Sequence, residues 1–464
     1  MKLINLNNAL SLDFENWGKY YKNYYNSGLY NIFKILGTSD MDVKEAEGLE
    51  IKLKDGRIIL DFSSAIGILA LGHNHKRIIQ AEKKCHELKM IDAIKVAPHK
   101  LQGILAYNIA EFLPGPLDIS FFAISGAEAV EGALKLCEKL QGPNKKKIIS
   151  ASNSYHGKTH GALSLTNSGG FKDNYIMGIP ENNIIVVNHG DIDQLENELI
   201  KNNDSVMATI IEPIQGQSIN VPQEGYLSKV VELCHKHDVL VIFDEIKSGM
   251  GRTGKFCYFQ YEDVVPDIVT LSKALGGGKR AICAFVTSKK LFKKAYGKKK
   301  DAGLHSTTFG GLGESCAVAI ETLNVIAEEN LVSMAESKGK YFIDKLYQLQ
   351  TKYPDSISEI RGRGLLLGIR FNYDKVLVRR IINNLDLKFI KTIDSIFIAS
   401  IVSTLYRDHN IIVHFSNSDL DILHIMPPLI ISYDEIDKFI YALDKILQSG
   451  FTRNLSSFVK ANVI

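Results

Sequence analysis

The fold of this 464-residue chain is decided by two stretches, Val239-Leu240-Val241-Ile242-Phe243-Asp244-Glu245 and Asp267-Ile268-Val269-Thr270-Leu271-Ser272-Lys273. Each is a short apolar run that leads into a charged residue, and the second continues into the glycine cluster 276–278. Short runs without polar alternation are typical of strands buried on both faces of a parallel sheet. Ligands of open α/β sheets bind at the carboxyl ends of such strands, so we expect Asp244 and Lys273 to lie close together there.

An acid and a lysine at neighbouring strand ends are the pair that pyridoxal phosphate (PLP) chemistry requires. The lysine holds the cofactor aldehyde as a Schiff base, and the acid keeps the pyridine nitrogen protonated, so that the ring accepts electrons. Either residue alone is more simply interpreted as an ordinary strand end in an α/β core. The PLP hypothesis for Lys273 and Asp244 therefore depends on the rest of the chain.

Apolar runs alternate with helical patterns between residues 119 and 287, with examples at 148–149, 184–187 and 208–211. This alternation predicts an α/β fold whose large domain has a mostly parallel central sheet. From about residue 345 the pattern becomes mixed, which indicates a small α/β domain built from both ends of the chain. The predicted division is an N-terminal arm with a small-domain segment, a large PLP-binding domain and a C-terminal small domain, at 1–90, 91–345 and 346–464.

The two ends of the chain carry weaker local signals. The first 35 or so residues are rich in Tyr and Asn. We favour a packed N-terminal arm, and an amphipathic docking segment is the alternative. Residues 50–61 alternate around Asp55-Gly56, which predicts a β-hairpin.

Composition excludes several classes of protein. The chain is 45% hydrophobic and 23% charged with a net charge of +3, so neither nucleic acid nor a membrane is an expected partner. Its six cysteines are scattered without a CxxC pair, which favours a reducing compartment over a disulfide framework or a zinc site. No signal peptide and no bilayer-spanning stretch is evident. We expect a soluble cytoplasmic protein without a metal.

Other polar residues stand where strands end or helices begin. Ser125 and Glu128 have capping-box spacing before a helix, and Gly126 and Ala127 leave N–H groups uncovered at its positive end, where a phosphate would bind. Many helices begin in this way, so the signal is weak alone. Tyr155 follows a strand and could stack on a flat cofactor ring or, equally well, pack on the core as a loop aromatic.

Taken together, these motifs resemble the class III aminotransferases, PLP enzymes of fold type I. The resemblance extends from about residue 45 to 445. It depends on Asp244-Glu245-Ile246, the block around Arg252 and the Lys273 segment, and on motifs at 125–129, 155–159, 212–216, 307–311 and 361–365. Within the class, residues 155–158, 304–309 and the Tyr-rich arm look most like putrescine aminotransferases.

The resemblance implies a role for each matching residue. Lys273 would form the Schiff base and Asp244 would pair with the pyridine nitrogen, and these two are the predicted catalytic residues. Arg361 would bind a substrate carboxylate through its two-pronged guanidinium, with Gln217 beside it. Thr308 would reach the phosphate bound in a neighbouring subunit, which implies a homodimer. The remaining predicted cofactor-binding residues are Ser125, Gly126, Ala127, Tyr155, His156, Glu212, Ile246 and Lys247.

Several positions depart from the family pattern. Lys247 replaces the usual Gln that hydrogen-bonds the phenolic oxygen of the cofactor, so it would place a charge there or point away. Gln217 replaces a Glu that can pair with the substrate-binding arginine, which predicts that Arg361 is available to a carboxylate throughout the cycle. Lys158 replaces an Arg that grips a distal carboxylate in many relatives, and Leu312-Gly313 replaces Asn-Pro.

The predicted function is a transaminase that moves an amino group between an ω-amine, such as a diamine, an aliphatic amine or an ω-amino acid, and a keto acid or aldehyde. One alternative is an acetylornithine, ornithine or γ-aminobutyrate type of aminotransferase. A second is an aminomutase on the same fold, which would need no keto acid. A third is a non-catalytic PLP-binding regulator, although neither terminus has the length or basicity of a DNA-binding module.

Overall fold

The computed structural model describes residues 3–91, 93–373, 393–416 and 421–463. Its strands are β1 (Val43–Glu47), β2 (Glu50–Leu53), β3 (Ile58–Asp61), β4 (Leu117–Ala123), β5 (Lys147–Ala151), β6 (Ile184–Val187), β7 (Val206–Ile211), β8 (Leu240–Asp244), β9 (Ile268–Leu271), β10 (Cys283–Ser288), β11 (Ile357–Arg363), β12 (Leu366–Phe371), β13 (Ile411–Ile412), β14 (His414–Phe415) and β15 (Ile422–Ile425).

The helices cover both faces of the largest sheet and extend to both ends of the chain. They are α1 (Leu6–Ser11), α2 (Phe14–Tyr20), α3 (Ser27–Leu36), α4 (Ser64–Gly67), α5 (Lys76–Glu87), α6 (Lys100–Phe112), α7 (Gly126–Gln141), α8 (His160–Leu165), α9 (Ile192–Lys201), α10 (Tyr226–Lys236), α11 (Lys289–Tyr296), α12 (Gly313–Glu328), α13 (Leu331–Lys352), α14 (Ile393–His409), α15 (Tyr433–Ser449) and α16 (Phe451–Val463).

The central sheet has seven strands in the order β4-β10-β9-β8-β7-β5-β6. The strands from β5 to β9 pair in parallel, and β10 runs antiparallel to both of its neighbours. Alternate residues of β8 enter different apolar clusters, with Val241 and Phe243 in one and Ile242 in the other. Both faces of the sheet are therefore covered, and the predicted α/β fold with a mostly parallel central sheet is confirmed.

Two four-stranded sheets flank this layer. The predicted hairpin is confirmed, since β2 and β3 pair antiparallel with Glu50 opposite Leu60. Strand β13 extends that sheet by pairing in parallel with β3, so segments from both ends of the chain form one sheet of order β1-β2-β3-β13. The other has the order β11-β12-β15-β14. The predicted domain boundaries stay predictions, and helix α13 runs through the one at 345.

The Tyr-rich arm is helical, with α1, α2, a π-helical turn at Tyr21–Tyr25, and α3, which contacts α14. Its aromatic rings contact one another, as Tyr21 does Tyr25 and Phe33. The side chains of Tyr24 and Tyr25 are 84% and 75% exposed. The arm therefore packs through α3 and its own rings, while these two side chains stay exposed in the single chain, and the interpretation of a packed arm stays a prediction.

No helix in the described part of the chain is long and apolar enough to cross a membrane.

Candidate active site

A cavity of about 400 Å³ lies at the carboxyl ends of the parallel strands. Each of β5, β7, β8 and β9 delivers predicted site residues to it, as expected where parallel strands end at one edge of a sheet. The predicted residues that line it are Gly126, Ala127, Tyr155, His156, Glu212, Gln217, Asp244, Ile246, Lys247 and Lys273.

Asp244 ends β8 and is 3% exposed. Its Oδ2 lies 2.8 Å from Nδ1 of His156, and its Oδ1 accepts hydrogen bonds from Thr270 Oγ1 at 3.0 Å and from the Ile246 amide at 3.2 Å. A carboxylate accepts and an imidazole Nδ1–H donates, so His156 presents its proton to Asp244. Three donors therefore fix this carboxylate in one orientation. Sequence reasoning missed Thr270, although Thr270 pairs with Asp244 across adjacent strands.

Lys273 follows β9 at the start of a 3₁₀ turn, and its φ of +46° is a left-handed conformation that non-glycine residues rarely adopt. Burial lowers the pKa of Lys273, while the negative charges of Asp244 and Glu212 partly oppose that shift. A lowered pKa increases the uncharged fraction of the amine at neutral pH. Only an uncharged amine attacks a carbonyl carbon.

Glu212 follows β7 and joins two loops of the site. Its Oε2 accepts the amide of Tyr155 and its Oε1 accepts the amide of Gly216, each at 2.8 Å. Burial raises the pKa of Glu212, the nearby His156 lowers it, and Asp244 raises it. The carboxyl group thus holds the loop after β5 against the loop after β7, which places the Tyr155 ring on the cavity wall.

The start of α7 forms a narrow cradle. The predicted capping box is confirmed, but the Ser125 side chain is exposed, caps the helix and does not line the cavity. A Cβ added to Gly126 would lie 2.9 Å from Cδ1 of Ile246, and one added to Gly157 would lie 2.7 Å from Cβ of Ala127. Side chains at these two glycines would therefore push into the space beside the helix N-terminus.

These residues fit PLP. The cavity combines a lysine of lowered pKa, a fully partnered carboxylate and a helix N-terminus suited to a phosphate. His156 Nε2 is buried without a partner among the described residues, and His156 lines the same cavity. Lys273, Asp244, Tyr155 and the start of α7 are the groups that would hold the cofactor, and their individual roles stay predictions.

Lys247 lines the cavity and points toward the C-terminal part of the chain. Its Nζ donates to the Gly216 carbonyl and lies 3.5 Å from Nδ1 of His424. Nε2 of His424 lies 2.9 Å from the Gln217 carbonyl oxygen. Burial, followed by the charge of Lys273, lowers the pKa of Lys247 well below its usual range. Sequence reasoning missed His424, for which no local pattern signals a role.

Arg361 lies on β11 and does not line the cavity. Its Nε is 2.6 Å from Glu359 Oε1, and its Nη1 donates to Ser218 O at 3.0 Å and to Asn220 Oδ1 at 2.6 Å. Arg361 therefore has an acidic neighbour in Glu359 although Gln217 is neutral, and its availability to a substrate carboxylate stays a prediction. Alternate residues of a strand share one face, so the Glu359–Arg361 spacing was a readable signal. The role of Arg361 toward a substrate stays a prediction.

Gln217 and Thr308 have surroundings that differ from those of Arg361. Gln217 accepts a hydrogen bond from Ser416 Oγ at 3.0 Å through its side-chain oxygen. Thr308 is exposed between α11 and α12 and does not line the cavity of its own chain. Its contribution to a neighbouring subunit stays a prediction.

Comparison with known proteins gives one family. The family model for class III aminotransferases matches residues 36–447. Ornithine aminotransferase from Toxoplasma gondii ME49 is 28% identical, with a TM-score of 0.80 over 96% of this chain and 97% of that one. Acetylornithine aminotransferase from Elizabethkingia anophelis is 27% identical, with a TM-score of 0.77 over 95% and 100%.

A third solved structure shares the fold alone. An (S)-enantioselective ω-transaminase from Thermomicrobium roseum has a TM-score of 0.83 over 95% of this chain and 99% of that one, at 24% identity. The family match spans most of the chain and includes every residue that lines the cavity. The chain belongs to the class III aminotransferases, PLP-dependent enzymes that move an amino group from an amine donor to a keto-acid acceptor.

Proposed function

We propose that the donor is an ω-amine without a distal carboxylate, such as putrescine, cadaverine or an aliphatic monoamine, and that the acceptor is a keto acid or aldehyde. The observation that carries this proposal is the setting of Lys158, which lines the cavity. Its ammonium lies 4.5 Å from the centroid of the Phe171 ring, which engages the charge in a cation–π contact. A single ammonium shared with a ring grips a carboxylate less well than a bidentate guanidinium.

PLP, when bound, supplies an aldehyde that condenses with amines and a ring that accepts electrons. Lys273 would supply the amine that holds the cofactor. Once free, this amine would take a proton from the donor carbon as a general base and return it as a general acid. The lowered pKa of Lys273 suits this double role, because the group exchanges protons closer to neutral pH.

The surrounding residues fix the geometry of this proton transfer. Asp244, oriented by His156 and Thr270, holds a negative charge for the ring nitrogen. Tyr155 would cover one face of the ring, with its backbone anchored on Glu212. The N–H groups at the start of α7 would receive the phosphate.

An ornithine or acetylornithine aminotransferase is the second candidate. Two of the similar structures carry those names, and both exceed 25% identity over nearly the whole chain. The presence of Arg361 also fits a substrate with a carboxylate.

A donor panel tests the proposal, with 2-oxoglutarate and pyruvate as acceptors. We expect putrescine, cadaverine or an aliphatic monoamine to exceed ornithine, N-acetylornithine and γ-aminobutyrate in kcat/KM. If N-acetylornithine or γ-aminobutyrate exceeds every diamine and monoamine by about tenfold, equivalent to ~1.4 kcal/mol, the proposal is wrong. Turnover that needs no keto acid would instead identify an aminomutase.

A variant of Lys158 tests whether this residue sets the donor preference. Lys158→Arg restores the bidentate group of many relatives and should raise kcat/KM for donors with a distal carboxylate, while leaving monoamines less affected. An equal change for all donors would mean that Lys158 does not face the donor.

We also propose a homodimer in which Thr308 serves the cofactor of the other subunit. Its exposed position away from its own cavity supports this arrangement. Light scattering should give twice the chain mass, and Thr308→Ala should weaken PLP retention without dissociating the dimer. An active monomer would refute the proposal.

A cytoplasmic location is part of the same proposal. The cysteines of the described chain are all free and buried, as suits a reducing compartment. Fractionation of the native cell should recover the activity with the cytosol.

A further inference from the structure

We propose that Lys247 and His414 form a recognition site for the carboxylate of the keto-acid acceptor, on the cavity wall and separate from Arg361. These two residues and His424 form a group that we call the cation cluster. The inference rests on the proposed transamination and deepens it, since it names the residues that select the acceptor.

The ammonium group of Lys247 has more donors than acceptors facing it among the described residues. An ammonium group has three donors and no acceptor. Two acceptors of the chain face its Nζ, the Gly216 carbonyl and Nδ1 of His424. No third contact of Nζ is present among the described residues, and Lys247 lines the cavity. One donor therefore remains for a ligand in the cavity.

The tautomer of His424 fixes the direction of these bonds. The Gln217 carbonyl can only accept, so Nε2 of His424 must carry the proton, and in the neutral ring Nδ1 presents its lone pair to Lys247. Burial, the charge of Lys247 and the neighbouring His414 lower the pKa of His424 well below its usual range. The lone pair on Nδ1 of His424 thus orients Lys247 as a donor, because Nδ1 carries no proton of its own.

His414 extends the cluster into the cavity. Its ring lies edge-on to the ring of His424, with centroids 5.6 Å apart and planes at 70°. Burial, Lys247 and Lys273 lower the pKa of His414 to about 3, so the ring is neutral near pH 7. A neutral imidazole keeps one N–H that can donate to an anion beside Lys247.

Both carboxylates of the cavity, Asp244 and Glu212, are engaged by other groups of the chain. Both oxygens of Asp244 and both oxygens of Glu212 accept hydrogen bonds from elsewhere in the chain. Neither forms a described contact with Lys247. An incoming carboxylate would supply the missing acceptor as a charge-assisted hydrogen bond, which is stronger than a neutral one.

Arg361 is less suited to this role in the observed arrangement. Its guanidinium is engaged by Glu359 and Asn220, and it stands outside the cavity lining. Of these two cations, Lys247 lines the cavity and Arg361 does not.

Acceptor binding should depend on pH. Burial, Lys273 and Arg252 lower the pKa of Lys247, and Glu212 opposes that shift. A bound carboxylate favours the ammonium form and raises the pKa. Acceptor affinity should therefore fall as pH rises through the pKa of free Lys247, because binding then requires uptake of a proton.

The test compares three variants of the holoenzyme in separated half-reactions. Lys247→Met should raise the half-saturating concentration of pyruvate by about 10- to 100-fold, the loss expected for one hydrogen bond to a charged group. It should change the half-reaction with an aliphatic monoamine far less. Lys247→Gln restores the residue common in relatives and serves if the Met variant does not fold. Lys247→Arg should keep pyruvate binding but lose its pH dependence, since a guanidinium stays charged.

Lys158→Met is the matched control variant. It removes another lysine that lines the same cavity, and the ammonium of this lysine contacts the Phe171 ring. Equal weakening of pyruvate by Lys158→Met and Lys247→Met would overturn the proposal, because it would reflect general loss of positive charge. Equal loss in both half-reactions of Lys247→Met would also overturn it, because Lys247 would then act on the cofactor.

A binding measurement separates this inference from the proposed function. Calorimetry with propanoate, an unreactive carboxylate, should detect binding to the wild-type holoenzyme and lose it in Lys247→Met. That result would support the inference even if the donor panel contradicted the ω-amine proposal. Undiminished propanoate binding in the variant, or no binding to the wild type, would overturn the inference while leaving the donor panel intact.

Discussion

At one side of the cavity Asp244 receives three hydrogen bonds from groups on different parts of the chain. At another side Lys247 keeps one donor that has no acceptor in the part of the chain that the structure describes. The first group, which we call the acid site, consists of Asp244, His156 and Thr270, and the second is the cation cluster. The three hydrogen bonds of the acid site are in place before any ligand binds, so Asp244 can stabilise charge without rearranging. The cation cluster is incomplete, so a ligand that completes it gains binding energy.

The largest expected effect is that of Lys273→Ala, which should reduce turnover to background because the variant lacks the amine for bond formation and proton transfer. Borohydride reduction followed by peptide mass mapping should label the Lys273 peptide in the wild type and in Lys247→Ala. A label transferred to Lys247 in Lys273→Ala would show that Lys247 can take the place of Lys273, which would contradict their separate roles. A fully active Lys273→Ala would refute the whole assignment.

At the acid site, Asp244→Asn should fold and bind PLP but lose about 10²–10³-fold in kcat, the usual cost of one electrostatic stabiliser. The amide removes the charge and turns one acceptor into a donor, which then faces other donors. Thr270→Val, which removes only the 3.0 Å hydrogen bond, should lose less. Near-normal kcat in PLP-saturated Asp244→Asn would remove Asp244 from its proposed role.

Gly157→Ala tests the narrow space at the start of α7, which belongs neither to the acid site nor to the cation cluster. The new Cβ would lie 2.7 Å from Cβ of Ala127, so we expect weaker PLP retention, measured by dialysis and absorbance. Gly190→Ala is the control, because its φ of +93° imposes comparable backbone strain but its Cβ would meet nothing within 4 Å. Equal PLP loss in both variants would mean that backbone strain, and not the space beside Ala127, causes the effect.

The smallest effect concerns stability. The pKa of Lys247 is lower in the folded chain than its ordinary value of 10.5. At pH values between the folded pKa and 10.5, the unfolded chain binds more protons than the folded chain. The free energy of unfolding therefore rises with pH in this range. Lys247→Met removes this dependence. At neutral pH its Tm, in the PLP-free protein, should exceed that of the wild type by a few degrees, and the difference should shrink toward alkaline pH. A difference in Tm that is constant with pH would show that burial does not lower the pKa of Lys247.

The sequence predicted the acid site better than the cation cluster, and the reason is physical. Asp244 ends β8 and Lys273 follows β9, and the apolar runs of both strands are local patterns, as is the three-residue spacing of the Ser125 capping box. Lys247 and His424, by contrast, are 177 residues apart, and only the folded chain brings them together. His414 lies on a strand of two residues, too short to give a periodic signal.

Strand β13, which completes the sheet of β1, β2 and β3, has a consequence for biosynthesis. Ile411 pairs with Leu60, so one edge of β3 stays unpaired until the ribosome has synthesised about 350 further residues. At ~5–20 residues per second, the nascent chain exposes that edge for roughly 20–70 s. An unpaired edge is a template for aggregation. Production of this enzyme should therefore depend on ribosome-associated chaperones, and slower translation should lower its yield before it alters its activity.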